Sequence, residues 1–161
     1  MVHFCANAYT KHQIIEMEAH ILEDLDYDLS PPIALQFLRR LTKMCAIDQT
    51  CHAMAKYFME TSLTDSNLSK YSPALNAAAC VYLAMTVLKD KDNVWKIEEY
   101  SNYKFDELIP FMKNIPNVIK KNIELNFGAV HTKFTARNIG SVSCRQELKS
   151  EEFINFTYFS C

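Results

Sequence analysis

Glycine is almost missing from this chain: 2 of its 161 residues, where average usage would supply about eleven. Both fall late, at Gly128 and Gly140. Residues 1–127 therefore hold no Walker A loop and no dinucleotide-binding fingerprint, because each needs glycine where backbone meets phosphate. Tight glycine hairpins are absent over the same span, which argues against an all-β fold. No C-x-x-C pair occurs among the six cysteines. The opening MVHFCANAYTK lacks the basic and then apolar run of a secretory signal. The longest apolar run, from Ala77 to Leu88, is broken only by Thr86. It falls well short of the ~20 residues that span a bilayer, so it reads as a core helix. Neither sign of charge dominates: 17 basic against 19 acidic residues give a formal charge of −2. That balance lacks the broad positive field on which non-specific nucleic-acid binding relies. Nucleic acid and membrane are thus excluded as expected partners.

What remains is ordinary globular material, 49% apolar and 22% charged, of a length that suits one compact domain. The expected fold class is all-α. Thr10 with Gln13 three residues on makes a capping box, and Tyr9 with Ile14 can close a hydrophobic staple over it. Ile14, Met17, Ile21 and Leu25 then recur on one face, predicting a helix from about Lys11 to Leu25. After a short link, Ser30 and Pro31 read as the cap and first position of a second helix. Its apolar side carries Ile33, Phe37, Leu38, Leu41, Met44 and Cys45, with Arg39, Arg40 and Lys43 opposite.

Asp48 reads as the cap of a third helix, whose inner face is Cys51, Met54, Ala55, Phe58 and Met59. Ser72 and Pro73 start a fourth, apolar all round from Ala77, and a helix without a polar face must be surrounded by others. A short helix follows around Trp95, Ile97 and Tyr100, with Trp95 and Tyr100 read as core or edge packing. A longer one runs from Phe105 through Ile123, with a break expected just before Pro116. After Gly128 the periodicity fades into an irregular tail. Its Phe153, Phe156, Tyr158 and Phe159 make it too apolar for a solvated linker.

No arrangement of residues carries catalysis. Asp24, Asp26 and Asp28 resemble the opening of a calcium loop, but Leu29 stands where glycine and Leu35 where glutamate would be needed. Cys45, Cys51 and His52 lack the second ligand pair of a structural zinc site. The cysteines read as reduced thiols buried as small hydrophobes. The Arg39–Arg40 pair reads either as a solvated helix face or as a grip for an anion or acidic partner. No catalytic, metal or cofactor-binding residue is expected, and composition and spacing describe a helical binding module.

Several stretches narrow this. NAYTKHQIIEME with ILEDLDYDLSPPIALQFLRRLTK resembles mitotic cyclins at the passage from the first cyclin box into the second. HAMAKYFMETSLTD (residues 52–65) and KYSPALNAAACVYLA (residues 70–84) resemble the second and third helices of the second box. PPIALQFLRR and HAMAKYFME are more similar to the B-type branch than to the A-type. The resemblance covers about residues 7–127. It implies a remnant of the N-terminal box (its last helix) over 1–29, a C-terminal box of five helices over 30–127 and a divergent tail over 128–161.

It further implies a non-enzymatic regulatory subunit that binds a cyclin-dependent kinase in the mitotic cell cycle, intracellular, in nucleus and cytoplasm. Two boxes of this size exceed the length of the chain, so the resemblance implies a truncated member. The kinase contact lies mainly on the first box. Its surviving residues here would be Val2, His3, Tyr9 and Thr10, although cap and staple also account for Tyr9 and Thr10. The alternative is a free-standing helical interaction module that no longer activates a kinase.

Overall fold

A computed structural model describes residues 2–90, 94–126 and 128–158. Among them every regular element is an α-helix or a 3-10 turn, as the all-α expectation requires. The chain divides into two compact units, residues 1–32 and 33–161.

The first unit holds a 3-10 turn at Val2–Cys5 and helix α1 at Lys11–Asp24. α1 stops where Asp26 and Tyr27 both take left-handed backbone angles. The Tyr27 N–H turns back to the Leu22 carbonyl at 2.9 Å, satisfying an end-of-helix acceptor. Asp28 then accepts the Ser30 N–H at 3.2 Å.

In the second unit, α2 spans Ala34–Met44, α3 Gln49–Ser62 and α4 Pro73–Val87. The start of α2 differs from expectation: Ser30 and Pro31 do not open it, and Ile33 is its cap. The cause is Pro32. A residue before proline is held out of the α region, so both Ser30 and Pro31 are extended and the helix begins only beyond the pair. The other two caps form as the sequence predicts. Asp48 accepts the Cys51 N–H at 2.6 Å, and Ser72 accepts that of Leu75 at 3.2 Å, with Pro73 in the first turn.

α4 is the axis of this unit, with ten buried residues, packed by α2, α3, α5 and α6. α5 is Trp95–Ser101, α6 Phe105–Met112 and α7 Ile115–Glu124. The break lies before Pro116, which sits in the first turn of α7 where it removes no helical hydrogen bond. Trp95 is 61% exposed, at the edge of the unit, while Ile97 is buried and Tyr100 packs against the same core.

The tail consists of α8 (Ala129–Lys133), three 3-10 turns and α9 (Glu151–Ile154). Gly140 stands between two of these turns at a φ of 78°, a conformation that side chains resist. Phe134, Val142 and Phe153 are buried in the same core as α3 and α4. Phe134 meets Tyr57 with ring centroids 5.5 Å apart, and Phe153 stacks on Phe58 at 5.8 Å. Phe159 lies outside the described residues. Each large apolar side chain fully buried in this way contributes about 1.5–3 kcal/mol.

Of the cysteines, Cys45, Cys51 and Cys80 are buried free thiols, as expected. Burial raises the pKa of each, that of Cys51 to about 12, so they stay protonated and unreactive. Cys5 is half-buried and Cys144 exposed, contrary to the general expectation of burial. Cys161 lies outside the described residues. No helix among the described residues is long and apolar enough to cross a membrane.

Candidate partner-binding site

Val2, His3, Tyr9 and Thr10 all belong to the first unit. Val2 and His3 lie in the 3-10 turn, Val2 half-buried and His3 exposed. Its end is folded back by hydrogen bonds from Ala6 N–H to the His3 carbonyl (3.2 Å) and from Asn7 N–H to the Val2 carbonyl (3.1 Å). Ala6 and Asn7 both have positive φ, so the chain reverses directly before Tyr9. The four residues are thereby kept at one end of α1 by short-range backbone geometry.

Thr10 is fully engaged as a cap. Its hydroxyl accepts the Gln13 N–H at 3.3 Å, and its own N–H donates to Gln13 Oε1 at 2.9 Å. Both donors would otherwise be unpaired at the helix end. Tyr9 is 57% exposed and Ile14 half-buried, so the ring remains open to a partner. Phe4 beside them is 91% exposed, and its position in the turn is a signal that periodicity, which treats MVHFC as too short to score, does not detect. α1 itself buries no residue: Met17, Ile21 and Leu25 of its apolar stripe are all exposed.

Carboxylates and imidazoles of α1 pair only along its exposed surface, His12 with Glu16 at 3.4 Å and His20 with Glu23 at 3.8 Å. Among the described residues there is no group of three or more His, Cys, Asp or Glu placed to hold a metal ion. The triad of aspartates at the end of α1 is accounted for by chain reversal and the Asx turn at Asp28.

The second unit holds a second cluster, at the seam of α2 and α3. His52 Nδ1 lies 3.1 Å from Thr42 Oγ1, whose hydroxyl donates to the Arg39 carbonyl at 3.1 Å. Desolvation, then the charges of Lys56 and Arg39, lower the pKa of His52.

The family model described as cyclin, C-terminal domain, matches residues 32–148. The chain belongs to the cyclin family. It is 35% identical over 149 residues to the G2/mitotic-specific cyclin-B of Spisula solidissima, an alignment covering 92% of this chain and 35% of the relative. Similarity to the G2/mitotic-specific cyclin-B of Marthasterias glacialis is 35% over 162 residues, covering 99% and 42% respectively. With the G2/mitotic-specific cyclin-B2 of Rana japonica it shares 38% identity over 146 residues, covering 89% and 37%. Within the family it is thus of the B type, and it spans little more than a third of the length of the first of these relatives.

Proposed function

We propose that this chain is a regulatory, non-catalytic subunit that binds a cyclin-dependent protein kinase and acts in the mitotic cell cycle, within the nucleus and cytoplasm. The observation that carries the reading is the similarity to G2/mitotic-specific cyclins of the B type over 92% of the chain. In this reading residues 1–29 are the last part of a first box, 30–127 the second box and 128–161 its tail. Val2, His3, Tyr9 and Thr10 form the kinase-facing end. A regulatory subunit acts by its differential affinity for the active arrangement of the kinase, in which the catalytic Lys–Glu pair is formed. The open Tyr9 ring and the exposed His3 and Phe4 of the turn at residues 2–5 supply contact surface of the kind an interface uses.

A titration of the full chain with a purified mitotic kinase tests this. Saturable one-to-one binding is expected, weakened by Tyr9→Ala. No binding at high micromolar concentration overturns it.

The second reading, a free-standing helical module that binds without activating, is favoured by a specific observation: the second unit has a continuous core of its own. Under that reading binding would occur with no gain in kinase activity.

A further inference from the structure

Serine precedes proline twice in this chain, at Ser30–Pro31 and at Ser72–Pro73. The dipeptide suits a proline-directed protein kinase. A cleft that offers no acceptor just after the serine penalises every residue whose N–H it strands, and proline has none. Phosphoryl transfer also needs the serine hydroxyl within reach of both the kinase's catalytic aspartate and the terminal phosphate of the nucleotide. The backbone around the serine must therefore be free to enter the cleft. On this point the fold treats the two serines differently.

Ser72 is committed. Its hydroxyl accepts the Leu75 N–H at 3.2 Å and lies 3.0 Å from the Tyr103 hydroxyl. Pro73 already belongs to α4, the axis of the second unit, so presenting Ser72 in a cleft would require unwinding that helix. Ser30 carries none of these ties. Residues 28–33 form no regular element, and every residue from 23 to 33 is exposed. The prolines that follow hold Ser30 and Pro31 extended. The Ser30 N–H donates to Asp28 at 3.2 Å, but among the described residues its hydroxyl has no hydrogen-bond partner. α2 begins only at Ala34, so the segment can enter a cleft without breaking a helix.

We propose that Ser30 is a phosphorylation site for a proline-directed serine/threonine kinase, and that Ser72 is not. The Ser30 oxygen bonds to the γ-phosphorus of a nucleoside triphosphate as the bond to the β–γ bridging oxygen breaks. The nucleoside diphosphate leaves, and the hydroxyl proton passes to the kinase's catalytic aspartate. The phosphoserine adds about −1.5 to −2 charge at neutral pH, on a chain whose formal charge is −2. That charge falls close to Asp26 and Asp28, in the stretch that joins α1 to α2. Here the chain is a substrate, so the inference goes beyond the regulatory reading and does not rest on it.

The test incubates the full chain and magnesium ATP with two proline-directed kinases that are already active. One is a mitogen-activated protein kinase, the other a cyclin-dependent kinase saturated with another cyclin, so neither depends on this chain as a regulator. Peptide mass spectrometry follows phosphate at each serine over time. Ser30 should be phosphorylated at an initial rate at least tenfold above that of Ser72. Pro31→Ala should slow modification of Ser30 at least tenfold with unchanged circular dichroism, and Ser30→Ala should remove most of the phosphate incorporated. No phosphate on Ser30 from either kinase, equal rates on the two serines, or indifference to Pro31→Ala overturns the proposal.

Discussion

The side-chain amide of Asn76 donates a hydrogen bond of 2.9 Å to the hydroxyl of Ser62, linking α4 to the end of α3 inside the core. Both residues are buried, and neither is left incomplete. Ser62 donates onward to the Met59 carbonyl at 2.7 Å, and Asn76 Oδ1 accepts from the Cys80 thiol at 3.3 Å. The chain Cys80–Asn76–Ser62–Met59 fixes how far α4 slides along α3, a constraint that the surrounding alanines do not impose. Asn76→Ala should lower unfolding free energy by about 1–3 kcal/mol, because it strips partners from buried polar groups. The double variant with Ser62→Ala should cost less than the two single losses added together, read by urea denaturation of all four proteins.

The tail is part of the second unit's core, and Phe153→Ala tests this. Removing a fully buried ring that stacks on Phe58 should destabilise by about 3–5 kcal/mol. Lys133→Ala, which breaks the ion pair with Glu60 at the half-exposed surface, should cost no more than about 1 kcal/mol. Thermal melts of the two variants distinguish a core element from a loosely attached one.

Much of this architecture is legible in the sequence because its causes are local. The caps at Thr10, Asp48 and Ser72 each pair a short polar side chain with a backbone N–H three residues on, a relationship visible as spacing. α4 announces itself because no polar residue interrupts Ala77–Met85 except the tyrosine hydroxyl at Tyr82. The tail is different. Phe134 and Phe153 are held by Tyr57 and Phe58, partners 77 and 95 residues away, and no local period encodes such contacts. The delayed start of α2 was encoded, in the consecutive prolines, but a Ser-Pro start signal masked it. At the seam, Arg39 and Lys56 are separate surface residues until the turn between α2 and α3 brings their helices together. Val2 and His3 depend on the reversal at Ala6 and Asn7, whose positive φ angles nothing in their residue types requires.

Thr10 carries two assignments that substitution can separate. Thr10→Ser keeps the capping hydroxyl and should leave α1 intact, whereas Thr10→Ala removes it and should cost about 1 kcal/mol of helix stability. Tyr9→Ala removes a ring that is mostly exposed and should leave the melting temperature within about 2 °C, since surface changes rarely exceed about 0.5 kcal/mol. If the kinase-facing assignment holds, Tyr9→Ala weakens kinase binding while Thr10→Ser does not. Circular dichroism and a binding titration on the same samples separate the effects.

Stability should also fall with acidification through the range set by His52. Its pKa in the fold lies below the ordinary value of 6.5 because burial and the nearby Lys56 and Arg39 disfavour the charged ring. The unfolded chain therefore binds a proton that the folded chain resists. The contribution of the neutral ring is present above about pH 6.5 and is lost as pH falls toward the folded value. In His52→Gln this component of the pH dependence should vanish, as measured by urea midpoints between pH 5 and 8.

Thiol reactivity offers an independent check on burial. Among the described cysteines Cys144 is the exposed one and should react before the others with a maleimide at pH 7.5. Cys45, Cys51 and Cys80 should stay protected until the chain unfolds, because burial raises their pKa values. Peptide mass spectrometry after timed quenching reads the order directly. Early labelling of Cys51, whose thiol is held near 12, would contradict the packing of α3 described above.

The proposed regulation of a kinase by this cyclin chain is tested by the activity of a purified mitotic cyclin-dependent kinase titrated with the full chain. A saturable rise in phosphorylation rate is expected, reduced by Tyr9→Ala and retained by Thr10→Ser. A rate unchanged at saturating concentrations of the folded chain would contradict it.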